Sequence, residues 1–112
     1  MKTLMITGCA VMAIFCLTAT AGAAADPENG RKLARKCSVC HGKIGIAGGD
    51  PEVPNLAGQP ALYLEKSLKD YRSGAREDRR MTLLAKKLSD PEIKDLAAWF
   101  SSIEITVAAP PD

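Results

Sequence analysis

Apolar side chains recur at helical spacing in the second half of the chain. Ala61, Leu64, Leu68 and Tyr71 lie three or four residues apart, opened by Pro60 and stopped by Gly74, which predicts a helix over about 60–73. A second stripe, Ile93, Leu96, Ala97, Phe100 and Ile103 with Trp99 at its margin, predicts another. It follows Ser89-Asp90-Pro91-Glu92, where a hydroxyl three residues ahead of a carboxylate forms a capping box. Nearer the start, Asp26-Pro27 offers an acidic N-cap and a proline at the first helical position. That helix is expected to run to about Cys37, with Gly30, Leu33 and Ala34 inward and Arg31, Lys32, Arg35 and Lys36 in water. From Gly42 to Gln59 the pattern disappears: glycines at 42, 45, 48 and 49 and prolines at 51 and 54 predict a long loop. Residues 74–80 read as a charged turn leading into Met81, with a short helical piece expected over 83–88. No strand alternation and no repeat appears, so the expected fold is all-α.

The first residues have a different character. Lys2, the apolar run Leu4 to Leu17 and the small residues Ala21-Gly22-Ala23-Ala24-Ala25 make a signal peptide, expected to be cut near Ala25. The strongly apolar part is short for a membrane span, although an uncharged stretch from Leu4 to Ala25 leaves an uncleaved anchor open. The domains expected are thus a leader at 1–25, a folded unit at 26–106 and a fraying, proline-bearing tail at 107–112. A unit that small buries a modest core and calls for a staple such as a disulfide, a metal or a large cofactor. Lys2 leaves with the leader, so 14 of the 15 Lys and Arg remain against 13 Asp and Glu. That near-balance carries no nucleic-acid signature.

Cysteine usage narrows the choice of staple. Cys9 and Cys16 fall in the leader, and the apolar stretch before Cys9 is too short for a lipoprotein cleavage box. The remaining pair lies in Cys37-Ser38-Val39-Cys40-His41, a Cys-x-x-Cys-His motif. Two thiols three residues apart at a helix end can each add to a haem vinyl group, and the next residue can offer an imidazole to the iron. Three other readings stand beside it. A structural zinc site needs about four ligands, and beyond Cys37, Cys40 and His41 the chain after the leader has no further Cys or His. A redox dithiol wants a βαβ setting. A plain disulfide would leave His41 and the thin core unexplained. If haem is bound, Met81 is the one thioether left after the leader, and it stands at the end of a charged turn rather than on an apolar face. A lone Met is commonly a core filler, but this placement suits a ligand on a loop. His/Met ligation closes both axial positions, raises the reduction potential and favours electron transfer over catalysis.

At this point the chain resembles the bacterial class I cytochromes c of the small monohaem kind, related to cytochromes c4 and c553. The resemblance is carried by Cys37 to Gly42, Pro54-Asn55-Leu56-Ala57-Gly58-Gln59, Tyr63-Leu64, Tyr71-Arg72-Ser73-Gly74, Met81, Leu88-Ser89-Asp90 and Leu96-Ala97-Ala98-Trp99-Phe100. It implies one covalently bound haem c, with Cys37 and Cys40 as thioethers and His41 and Met81 as axial ligands. It also implies terminal helices that cross beside the haem, with Gly30 as the small contact near Trp99, and a Pro54 carbonyl that accepts the His41 ring N–H.

The function expected is that of an exported, periplasmic carrier passing single electrons between membrane or periplasmic redox proteins. The alternatives are a dedicated cytochrome subunit of a dehydrogenase and a haem sensor or peroxidase-like protein with a labile Met81. Arg72, Arg76, Arg79, Arg80, Lys86 and Lys87 surround Met81 in sequence. They read equally as a docking rim, as partners for the haem propionates, or as a solvated surface interleaved with Asp70, Glu77 and Asp78. Tyr63, Tyr71 and Trp99 read as packing around the pocket.

Overall fold

Asp26 starts the first helix in the way its chemistry suggests. In the computed structural model, which describes residues 22–111, its Oδ1 accepts the backbone N–H groups of Glu28 at 2.9 Å and Asn29 at 3.1 Å, and α1 runs Pro27–Leu33. The leader expected at 1–25 lies outside the described residues up to position 21. The helix expected to continue to Cys37 tightens after Leu33 into a 3-10 turn, Ala34–Lys36, and then α2, Ser38–His41. The Ser38 hydroxyl donates to the Arg35 carbonyl at 2.7 Å and Cys37 N–H donates to the Ala34 carbonyl at 2.9 Å. Both bonds divert the ladder to i−3 partners.

The middle of the chain follows the periodicity closely. α3 spans Ala61–Ser73 and ends at Gly74 in the left-handed region, φ 85°. α4 spans Met81–Ala85, two residues ahead of the piece expected over 83–88. The reason is a carboxylate: Asp78 Oδ1 accepts the N–H groups of Arg80 and Met81, each at 2.8 Å, while Asp78 N–H donates to Thr82 Oγ1 at 3.1 Å. α5 spans Asp90–Ser101, and both bonds of its capping box are made. It stops short of Ile103 because the Ser102 hydroxyl folds back on the Trp99 carbonyl at 2.7 Å and Gly58 N–H takes the Phe100 carbonyl at 2.9 Å. Ile103 still packs against the core.

The most extensive helix contact is α1 on α5; α3 packs on α5 and on α4. A Cβ at Gly30 would overlap the Asp95 carbonyl and crowd Trp99 Cβ at 2.9 Å, so only glycine lets α1 approach α5 this closely. Ala34, Leu64, Leu96, Ala97 and Phe100 form the buried core where these helices meet. No strand occurs among the described residues, and none of the described helices is long and apolar enough to cross a membrane. Residues 107–111 are exposed and without regular structure.

The loop after α2 is pinned rather than open. Leu56 N–H and Ala57 N–H both donate to the Gly45 carbonyl, at 2.7 and 3.1 Å, and Ala47 N–H donates to Asn55 Oδ1 at 2.7 Å. Gly45, at φ 79°, lies against the Phe100 ring, where a Cβ would come within 2.8 Å of it. The loop therefore turns back across the end of α5 and carries Pro54 to α2.

Candidate functional site

A cavity opens between α2, α3, α4 and the loop. Cys37, Cys40, His41 and Met81 all line it, although His41 and Met81 are 40 positions apart in sequence. The walls are apolar: Leu33, Leu56, Leu64, Leu68, Leu96 and Phe100 face it, three of them from the buried core. Deep in this wall His41 is 7 % exposed. Its Nδ1 stands 2.8 Å from the Pro54 carbonyl oxygen. A carbonyl can only accept, so the proton belongs on Nδ1 and the lone pair on Nε2. The ring makes no other hydrogen bond among the described residues. The outcome is an imidazole fixed in one tautomer, with its free nitrogen available to a metal in the cavity.

The two cysteines are not bonded to each other; Cys37 is half-buried and Cys40 exposed. Burial pushes the Cys37 thiol above its ordinary range, against the pull of Lys36, and Cys40 adds to the rise. A redox dithiol wants a βαβ setting, and no strand occurs among the described residues, so the dithiol reading loses support. Zinc fares no better, since no group of three His, Cys, Asp or Glu among the described residues is placed to hold a metal ion. Two thiols at the edge, one oriented imidazole, one thioether and apolar walls do fit a planar hydrophobic macrocycle with iron at its centre.

Met81 is half-buried at the first turn of α4. A helix of so few residues has little stability of its own; besides its packing on α3, two polar interactions hold it. Asp78 caps its start as described above. Arg72 braces the far end, where Nη1 donates to the Leu88 carbonyl at 3.0 Å and Nη2 pairs with Asp90. The guanidinium holds the Asp90 carboxyl below the usual range, by hydrogen bond first and by charge second. Backbone N–H donation from Met81 and then Arg80 does the same to Asp78. Neither Asp78 nor Arg72 had been singled out for this work. An acidic residue just ahead of a short helix is a start signal like that of Ser89, and could have been read; the Arg72 brace leaves no trace in the pattern.

The basic cluster divides. Arg72 is structural. Arg76 and Arg80 line the cavity mouth with Lys87 and Lys36, and Arg76 lies over the Tyr71 ring at 4.6 Å. Tyr63 and Tyr71 line the cavity as expected, but Trp99 does not. Trp99 sits on the side of α5 that meets α1, against Gly30 and with Arg31 5.7 Å from its ring centre. The expectation that it packs the pocket is corrected: one position from Phe100, helical rotation turns it to a different face.

Residues 27–104 match the family model described as Cytochrome c. The chain is 41 % identical over 91 residues to cytochrome c4 of Pseudomonas aeruginosa, covering 81 % of this chain and 45 % of that protein. It is 45 % identical over 84 residues to cytochrome c-554(548) of Halomonas halodenitrificans, covering 72 % of this chain and all of that one. A thiosulfate dehydrogenase electron acceptor of Thiomonas intermedia is 35 % identical over 92 residues, covering 82 % of this chain and 40 % of its own. Among solved structures, reduced recombinant cytochrome c4 from Pseudomonas stutzeri superposes with a TM-score of 0.65 at 31 % identity, over 72 % of this chain and 51 % of that one. The chain thus spans about half the length of the cytochrome c4 relatives it matches and the whole of the Halomonas protein.

Proposed function

The chain belongs to the cytochrome c family and has its class I fold, and on that premise we propose that it is an exported, monohaem carrier of single electrons. Cys37 and Cys40 hold haem c through thioethers, His41 Nε2 and Met81 Sδ ligate the iron, and Pro54 orients His41 through its carbonyl. One motif of the Cys-x-x-Cys-His kind is present, which supports one haem for this chain. Bound there, haem supplies a one-electron ferric/ferrous couple. The chain's own residues do the rest: the Pro54 carbonyl fixes the imidazole tautomer, the leucines exclude water, and Asp78 and Arg72 set the helix that carries Met81. The convergence of Cys37, Cys40, His41 and Met81 on one apolar cavity carries this reading.

The test is optical. The alkaline pyridine adduct of the reduced protein should show a haem with two thioethers, and an ordinary non-covalent haem spectrum would overturn the attachment. The weak long-wavelength sulfur-to-iron band of the oxidised protein should vanish in Met81→Ala. Carbon monoxide should bind the reduced wild type slowly or not at all; rapid binding would favour a sensor or peroxidase-like role. A second reading, a dedicated acceptor subunit of a periplasmic dehydrogenase, is favoured by the similarity to the thiosulfate dehydrogenase electron acceptor. A stable large complex on size-exclusion of native extract would select it over a free carrier.

A further inference from the structure

The joint between α1 and α5 contains an anion that lacks a cation. Asp95 Oδ1 accepts the backbone N–H of Asp26 at 2.8 Å, and its Oδ2 accepts Asn29 Nδ2 at 2.8 Å. These neutral donors, Asn29 first and Asp26 second, hold the Asp95 carboxyl below the usual carboxylate range. Among the described residues no Lys or Arg forms an ion pair with it. Asp95 is half-buried where α1 and α5 make the most extensive helix contact, one position from buried Leu96 and against Gly30. The nitrogen that faces it belongs to the residue that follows Ala23-Ala24-Ala25. Residues 22–25 are exposed, have no regular structure and make no hydrogen bond among the described residues.

We infer that the Ala25–Asp26 peptide bond is the processing site and that the α-ammonium released there forms an ion pair with Asp95, completing the α1–α5 joint. The inference rests on the export reading of the leader. Hydrolysis by an endopeptidase that reads small residues adds one water across the bond. The hydroxyl goes to the Ala25 carbonyl and a hydrogen to the Asp26 nitrogen, and the proton released by the new carboxyl completes the ammonium. A neutral amide donor 2.8 Å from Asp95 is thereby replaced by a cation at the same place. Its cost in ordering is small, because the α-nitrogen is already fixed by the Asp26 cap.

The groups around this nitrogen favour its charged form. From α1 come the Asp26 carboxylate itself and Glu28, and from α5 come Asp95 and, one turn earlier, Glu92. Two cations lie near these groups: Arg31 is drawn to Glu28 at 4.0 Å and to the Trp99 ring, and Lys36 acts on Glu92. The ion pair's stability is therefore present from about pH 4, above which Asp95 is ionised in both states, to about pH 8, where a free α-amino group is protonated. It is lost as pH rises through the higher value the amine has in the folded protein, and as pH falls through the lowered value of Asp95.

The experiment is a cycle on the haem-loaded protein. Mass spectrometry of protein from the periplasm should give Asp26 as the first residue; any other start overturns the processing site, and retention of Met1 overturns the cleaved leader as well. Urea unfolding at pH 7 is then compared for the processed protein and for a form that keeps residues 22–25, each with and without Asp95→Asn. In the processed protein Asp95→Asn should raise the unfolding equilibrium constant about two- to fivefold more than in the extended form. At pH 11 that difference should vanish. Equal effects in both forms at pH 7 would overturn the ion pair and leave export and processing standing. Asp95→Glu in the processed protein checks folding: it keeps the charge and should retain part of the difference.

Discussion

His41 and Met81 reach the same cavity, but from two very different supports. His41 is buried, follows its cysteines directly in sequence, and has its ring fixed by a carbonyl from a loop closed on Gly45. Met81 is half-buried on a helix held at one end by an exposed carboxylate and at the other by a guanidinium from α3. The first support is local in sequence and repeatedly tied. The second combines packing of α4 on α3, with Ala85 buried, and one polar contact at each end. The lesson is that the two sides should tolerate damage unequally: harm to the His41 side should prevent a loaded protein from forming, whereas harm to the Met81 side should leave one with altered spectroscopic properties.

The largest effect is expected from His41→Ala. Without the imidazole beside the two thiols, covalently loaded protein should fall to about a tenth of the wild-type yield or less, because ligand binding and folding are coupled in so small a core. Haem-stained gels against total protein by immunoblot measure it. A normal yield would show that the cysteines alone secure the cofactor and would remove the proposed asymmetry.

Met81→Ala should come next and differ in kind. Loaded protein should accumulate, the sulfur-to-iron band should disappear, and the reduction potential should fall by something on the order of 0.1 V of the roughly 0.8 V that axial ligands command. Redox titration and the oxidised spectrum check it together.

Asp78 and Arg72 sharpen the comparison further. Asp78→Ala removes the acceptor of the Met81 and Arg80 N–H groups, and Arg72→Leu removes the donor to Leu88 and the partner of Asp90. Each should weaken the sulfur-to-iron band by a fraction of the Met81→Ala loss and speed carbon monoxide binding. Asp78→Asn keeps an oxygen acceptor and should recover most of the band. The Arg72 brace also has a pH signature. Asp90 titrates below its ordinary 3.8 in the folded chain. Its contribution is therefore complete above that value and is lost as pH falls through the lower folded value. Acid unfolding of Arg72→Leu should be correspondingly less dependent on pH below 4.

The same contrast explains what the sequence could tell. Helices α3 and α5 were legible because long apolar stripes, bounded by Pro60 and Gly74 in one case and opened by a capping box in the other, are set by local chemistry. Cys37 to His41 were legible because the motif is contiguous. The break after Leu33, the early start of α4 and the face taken by Trp99 were not. Each is decided by one polar contact or by helix rotation: the Ser38 hydroxyl, the Asp78 carboxylate, the step from Trp99 to Phe100. The Arg72 brace joins residues 16 and 18 apart, on separate elements, and no spacing rule announces it.

Pro54 sets the lower limit of the comparison. Its contact with His41 is made by a backbone carbonyl, which any residue at that position retains. The pyrrolidine ring contributes otherwise, by restricting the unfolded chain and by biasing Val53 to an extended conformation. Pro54→Ala should therefore cost about 0.5–1 kcal/mol in urea unfolding and leave the sulfur-to-iron band and the reduction potential as in wild type. A shifted potential would mean that the carbonyl moves when the ring is lost. The His41 side would then depend on a single loop residue as closely as the Met81 side depends on Asp78, and the two supports would be equally fragile.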